Sequence, residues 1–205
     1  MDRREFFRRG MGRVAKEVVQ HADAQVSERA SHWIRPPFAI SEIEFLLACT
    51  RCNACIDACP HEVIFPLAAR NGADVMNTPA LDLLNVACHL CSDWPCVTSC
   101  ETAALQISNS DSEPEPEKEW PKANELDAII PLPNLAHIEV QTSSCLPYNG
   151  PECGACASAC PVEGALQWHA ERPSINQQLC TGCALCRQAC ITEPKSILVS
   201  KNRVE

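Results

Sequence analysis

At 205 residues with a formal net charge of −9, the chain has room for one or two domains, and its acidity argues against nucleic acid as a partner. Only 5% of residues are aromatic, and 16 cysteines inflate the 46% hydrophobic count, so a core of ordinary apolar side chains is thin. No stretch approaches the roughly 18 apolar residues of a membrane span, and a disulfide framework belongs to shorter, secreted chains.

The N-terminus departs from the acidic whole. Met1 to Lys16 carry Arg3, Arg4, Arg8, Arg9, Arg13 and Lys16 against Asp2 and Glu5, a net +4. Asp2 to Arg8 looks like a twin-arginine export motif, and Ala22-Asp23-Ala24 mimics a cleavage site. A signal peptide needs an uncharged apolar run of about 7–15 residues. Arg13, Lys16, Glu17 and His21 interrupt any such run, so export is not expected and a cytoplasmic location is. Phe7, Met11, Val14 and Val18 instead fall at helical spacing, which predicts a basic amphipathic helix within residues 1–33. Its apolar face could pack on the protein's own surface, on a partner or on a membrane surface.

Pro36-Pro37 breaks the chain, and Ser41 with Glu44 reads as a capping box for a short helix from Glu42 to Ala48. That helix is expected to bring Leu46 and Leu47 against the loop that follows. The loop is motif one: Cys49, Cys52, Cys55 and Cys59, closed by Pro60, at the C-x2-C-x2-C-x3-C-P spacing of bacterial iron–sulfur ligation. Three thiolates on one tight loop grip one cluster, while the fourth lies about a helical turn later and reaches a neighbouring one. Motif two is Cys88, Cys91, Cys96 and Cys100, with a four-residue gap from Ser92 to Pro95. Each fourth cysteine is followed by a short apolar run, Val63-Ile64-Phe65 and then Ala104 to Ile107, which predicts a short strand.

Ser108 to Asp127 carry seven acidic residues against Lys118 and Lys122, a net −5, with Pro114, Pro116 and Pro121. The composition predicts a solvated linker over 108–134, with an acidic docking arm as the alternative. Residues 135–205 repeat the pattern. Motif three is Cys145, Cys153, Cys156 and Cys160, with a seven-residue first gap and Pro161 after it; motif four is Cys180, Cys183, Cys186 and Cys190. Apolar runs follow again at Ala165 to Trp168 and Ile197 to Val199.

Four motifs use all sixteen cysteines, which fits four [4Fe–4S] clusters. Zinc is the competitor, but its sites pair two C-x-x-C knuckles and need no fourth cysteine after a triplet. A c-type haem needs C-x-x-C-H, which does not occur here. The unit of cluster loop, short helix and short strand recurs four times, and two such units make one ferredoxin-type domain. The expected fold is therefore α+β, with two tandem bacterial-ferredoxin-like domains at 34–107 and 135–205. Cys160 and Cys180 are close in sequence, as are Cys59 and Cys88, whereas Cys100 and Cys145 straddle the linker. That pairs motif one with two and three with four. Cys49, Cys52, Cys55 and Cys100 then hold one cluster, and Cys88, Cys91, Cys96 and Cys59 the second. Cys145, Cys153, Cys156 and Cys190 hold the third, and Cys180, Cys183, Cys186 and Cys160 the fourth. A nested pairing, one with four and two with three, stays open. With each oxidised cluster at roughly −2, the loaded chain would approach about −17, which suits a basic docking face on another protein.

Three stretches carry a family resemblance. They are Ile34-Arg35-Pro36-Pro37-Phe38 running into Glu44-Phe45-Leu46 and motif one; Cys145 to Cys153 with its seven-residue gap; and Pro173 to Cys183. On them the chain resembles the NapF-type ferredoxins of periplasmic nitrate reductase systems. The resemblance implies a cytoplasmic protein with several [4Fe–4S] clusters that binds the precursor of a molybdenum-dependent catalytic subunit before export and assists its maturation. The longer gap of motif two is instead similar to electron-transfer subunits of the NapG/MauM type, which makes another redox protein the alternative partner. His61 and His89 flank ligand cysteines as loop residues, and Trp94 and Trp168 are candidates for shielding a cluster from water. No paired-carboxylate, Ser–His or phosphate-loop arrangement stands out, so an electron-transfer or accessory protein is expected rather than an enzyme.

Overall fold

The computed structural model describes residues 33–107 and 132–202. The expected N-terminal helix and the acidic segment 108–127 lie outside the described residues. Among the described residues no helix is long and apolar enough to cross a membrane.

Each half is built from pieces too short to stand alone. In the first, α1 (Glu42–Ala48) leads into the first cysteine loop, α2 (Ala54–Asp57) leaves it, and β1 (Ile64–Pro66) pairs antiparallel with β2 (Pro79–Leu81). Helix α3 (Pro95–Thr98) then closes motif two. In the second half β3 (His137–Val140) pairs antiparallel with β6 (Ile197–Ser200), and β4 (Leu166–His169) forms a hairpin with β5 (Arg172–Ile175). Helix α4 (Leu185–Ala189) follows the third cysteine of motif four.

The halves repeat one pattern but differ at the closing ladder. Where β3 and β6 make a four-residue ladder, the first half has only the bridge between Ala39 and Leu105. It is flanked by Ile40 N–H to the Ala104 carbonyl at 3.2 Å and Gln106 N–H to the Phe38 carbonyl at 2.9 Å. The strand expected at Ala104–Ile107 is thus reduced to a bridge. Pro36 and Pro37 have no N–H to give, and Phe38 turns left-handed at φ 58°, so little of the partner segment can pair.

Helix α1 has the bounds expected of it, and Leu46 packs partly buried against the core as expected, but Leu47 does not. Phe45 is wholly buried while Leu47 is 83% exposed. Ser41 precedes the helix, yet its hydroxyl donates to the Glu44 carboxylate at 2.9 Å and makes no bond to the helix backbone. The anchor lies on the other side of α1. Arg35 donates to both carboxylate oxygens of Glu42, at 2.6 and 3.0 Å, and to Thr78 Oγ1 and the Pro79 carbonyl. Its guanidinium also lies 4.5 Å from the centre of the Phe45 ring. One buried side chain therefore ties the entry segment, α1 and β2 together. Motif three gains no regular helix: Gly154 to Ala159 make only single turns, Ala157 N–H to Gly154 O and Ala159 N–H to Cys156 O.

One core runs through both halves. Phe45, Ile64, Leu83 and Leu105 from the first half join Leu135, Ile138 and Ile197 from the second, with buried cysteines among them. A small satellite of Trp33, Leu67, Val75 and Ala80 sits under the first half alone.

Candidate metal centres

The cysteine loops take backbone conformations that side chains resist. In motifs one, two and four the second residue after the first cysteine is left-handed: Arg51 at φ 59°, Leu90 at 51°, Gly182 at 73°. So is the residue two before the third cysteine: Asn53 at 65°, Trp94 at 43°, Ala184 at 65°. Such a backbone costs a residue with a side chain about 1–2 kcal/mol, but it turns N–H groups into the concave side of the loop. The Leu90 N–H accordingly meets the Cys88 sulfur, that of Gly182 meets Cys180, and that of Leu185 meets Cys183. The extra residues of motif two are taken up before Trp94, so the final turn into α3 matches the other loops. Outside contacts hold the loops in place. Arg51 donates to the carbonyls of Asp74 and Met76. In motif three the long gap forms a 3-10 turn, Leu146–Tyr148, whose Tyr148 hydroxyl donates to the Pro173 carbonyl of β5 at 2.9 Å.

All sixteen cysteines are free thiols, and the structure brings them together in four groups. Cys55 interacts with Cys100, Cys49 and Cys52, and these four line a cavity beside Phe45 and Leu105. Cys96 interacts with Cys88, Cys59 and Cys91, and these line a second cavity beside Trp94 and Leu81. Cys156 interacts with Cys190, Cys145 and Cys153. Cys160, Cys180, Cys183 and Cys186 line a cavity walled by Ile138, Ala165 and Ile175. Each group takes three cysteines from one motif and the fourth from that motif's partner. Cys59 stands with motif two, and not with motif four as nesting requires.

Burial pushes Cys55, Cys88 and Cys156 up to about 11, and Cys96 and Cys186 up to about 12, with neighbouring thiols adding to the rise. Thiols that resist ionising this strongly become thiolates only with cationic metal among them. Cys190 goes the other way: burial raises it, but the Thr192 hydroxyl and the N–H groups of Thr192, Ser196 and Ile197 outweigh that.

Among the described residues no three His, Cys, Asp or Glu side chains converge on a point that one metal ion could fill. A cubane takes each thiolate on a separate iron. The donor set, the cavities and the inward N–H groups fit such a cluster. Thr181 adds to the fit, since it is buried on the cavity of Cys160, Cys180, Cys183 and Cys186 with its hydroxyl directed at the Cys183 sulfur.

Several side chains around the sites have a structural reading. His61 and His89 stack face to face at 3.7 Å, joining the exit of motif one to the entry of motif two. Trp94 is buried against Phe38, edge on at 4.8 Å, and covers the second cavity. Trp168 lies on β4, its Nε1 buried without a partner. Residues missed by sequence reasoning are Thr102 and Thr192, whose hydroxyls lie 3.8 and 3.2 Å from Cys100 and Cys190. Their signal is a C-x-T pattern at the fourth cysteine of motifs two and four, where motifs one and three have proline.

Residues 47–65 match the model of the 4Fe-4S binding domain. The ferredoxin-type protein NapG of Escherichia coli (strain K12) is 26% identical over 208 residues, covering 96% of this chain and 82% of that protein. The methylamine utilization ferredoxin-type protein MauM of Methylophilus methylotrophus is 31% identical over 178 residues, covering 82% of this chain and 71% of that one. The ferredoxin-type protein NapF of Escherichia coli (strain K12) is 28% identical over 171 residues, covering 79% and 82%. No solved structure matches. The chain therefore belongs to the family of ferredoxin-type iron–sulfur proteins that includes NapG, NapF and MauM.

Proposed function

We propose that the chain is a polyferredoxin with four [4Fe–4S] clusters on two tandem ferredoxin-like domains, 34–107 and 135–205, carrying electrons between a donor and a terminal oxidoreductase. The observation that supports it is the set of four cysteine quartets, each completed by a cysteine from a second motif. Cys49, Cys52, Cys55 and Cys100 would hold one cluster; Cys88, Cys91, Cys96 and Cys59 the next. Cys145, Cys153, Cys156 and Cys190 would hold the third, and Cys180, Cys183, Cys186 and Cys160 the fourth. Each cluster, when bound, supplies a one-electron redox centre. The chain's own residues exclude water, aim N–H groups and hydroxyls at the sulfurs, and fix the centres relative to one another.

A second reading is favoured by the likeness to NapF and by the basic stretch Met1 to Lys16. In it the protein is a cytoplasmic accessory factor that binds the precursor of a molybdenum-dependent, nitrate reductase type catalytic subunit. Iron and sulfide assays on anaerobically purified protein test the shared core of both: about sixteen of each per chain are expected, and about eight would overturn it. Cys59→Ser should disturb the cluster on Cys88, Cys91 and Cys96. Capture of partners from the native cell then separates the two readings. An unexported molybdoenzyme precursor, lost when residues 1–30 are deleted, supports the accessory role; a donor or terminal reductase supports the carrier.

A further inference from the structure

Two cysteine loops from opposite halves meet through their backbones. The N–H of Cys88 donates to the carbonyl of Cys183 at 2.9 Å, and both residues are buried in the shared core. Beside them the N–H of Ala87, itself wholly buried, donates to Oε1 of Gln188 at 2.8 Å. Arg187 Nε donates to the Leu84 carbonyl at 3.1 Å, while its Nη1 donates to the Ile197 carbonyl of β6. Helix α4 is thereby latched onto the segment that delivers motif two. A buried N–H needs a partner, and the partners of Ala87 and Cys88 come from the other half of the chain, about a hundred residues away. Within the halves, Cys55 neighbours Cys96 and Cys156 neighbours Cys186.

We propose, on the four-cluster reading above, that the cluster sites form one line in the order motif one, motif two, motif four, motif three. The Cys88–Cys183 contact is the junction between the halves, and Gln188 and Arg187 are the residues that position it. The hydrogen bond joins two ligand-bearing residues directly, so the inner sites are linked without a gap. The ends of the line are the loops of motifs one and three, where Cys52 is exposed and Cys153 half-exposed.

The test removes the two ends. Cys52→Ala with Cys153→Ala leaves the inner sites, one in each half. Expected is about half the iron of the intact chain and, in the fully reduced protein, an electron paramagnetic resonance spectrum broadened by spin–spin interaction. Two independent signals at that iron content would overturn the order. Adding Gln188→Ala should weaken the interaction at unchanged iron. Amide exchange on the chain with all its cysteines provides a check that does not depend on the double variant holding its clusters. Gln188→Ala should speed exchange at Ala87 and Cys88 about tenfold, the effect of one hydrogen bond. Unchanged exchange there sinks the junction. An intact chain well short of sixteen irons instead contradicts the four-cluster reading, and the exchange result still decides the contact.

Discussion

Thr181 is the clearest case of a single side chain set to act on a metal site. Burial raises the Cys183 thiol, and the Leu185 N–H and the Thr181 hydroxyl offset part of that rise. A donor near cluster sulfur favours the more negative, reduced state. Thr181→Val keeps the shape and removes the donor, so the potential of that site should fall. A hydrogen bond of about 1 kcal/mol corresponds to roughly 40 mV for one electron. A potentiometric titration followed by paramagnetic resonance measures it, and an unchanged potential at full iron content refutes it. Arg35 acts on the fold instead. Arg35→Met leaves the Glu42 carboxylate only the Trp33 N–H and the Lys201 charge, and a broken buried pair costs at most about 3–5 kcal/mol. The midpoint of anaerobic urea unfolding should drop accordingly and recover in large part in Arg35→Met with Glu42→Leu.

At the scale of elements, the motif four loop depends on glycine at one point. Gly182 has φ +73°, and a Cβ there would fall on the backbone N, C and O of Ala136. That close approach is what lets Leu135 N–H reach the Thr181 carbonyl at 2.8 Å. Gly182→Ala should therefore separate the loop from the start of β3 and reduce iron by about one cluster, four atoms. Ala184 is also left-handed, at φ 65°. Ala184→Gly removes strain there and should stabilise by up to about 1 kcal/mol, less the lost burial. Cysteine spacing made the loops legible in the sequence, because ligation geometry dictates it directly. The bounds of α1 were legible from Pro36-Pro37 and the Ser41–Glu44 pattern, and the strands after motifs one, three and four from apolar runs. Which face of α1 is buried was not, since Arg35 and Thr78 decide it from outside the helix. Nor was the Cys88–Cys183 contact, which depends on how the halves pack and leaves no local pattern.

At the scale of the molecule, the fold and its metal are one system. Among the described residues the sheets are two-stranded with strands of three or four residues, and the helices run to seven residues at most. Neither is stable alone in water. The core that joins them contains Cys55, Cys88, Cys96, Cys156, Cys183 and Cys186. Anaerobic removal of iron by a chelator should therefore unfold the chain, with loss of its far-ultraviolet circular dichroism. The pH dependence follows from the thiols. Near neutral pH the empty sites are protonated, so each thiolate formed on loading releases a proton, and higher pH favours assembly. Any folded structure left without metal responds oppositely. Its buried thiols ionise only at about 11 to 12, against 9.0 ordinarily. That contribution to stability is full below about pH 9 and is lost as pH rises through the folded values. Reloading with iron and sulfide should accordingly proceed further at pH 8.5 than at 6.5, while the metal-free chain loses residual structure above pH 9. A metal-free chain that keeps its circular dichroism through pH 11 would show that the apolar core, and not the clusters, holds the two halves together.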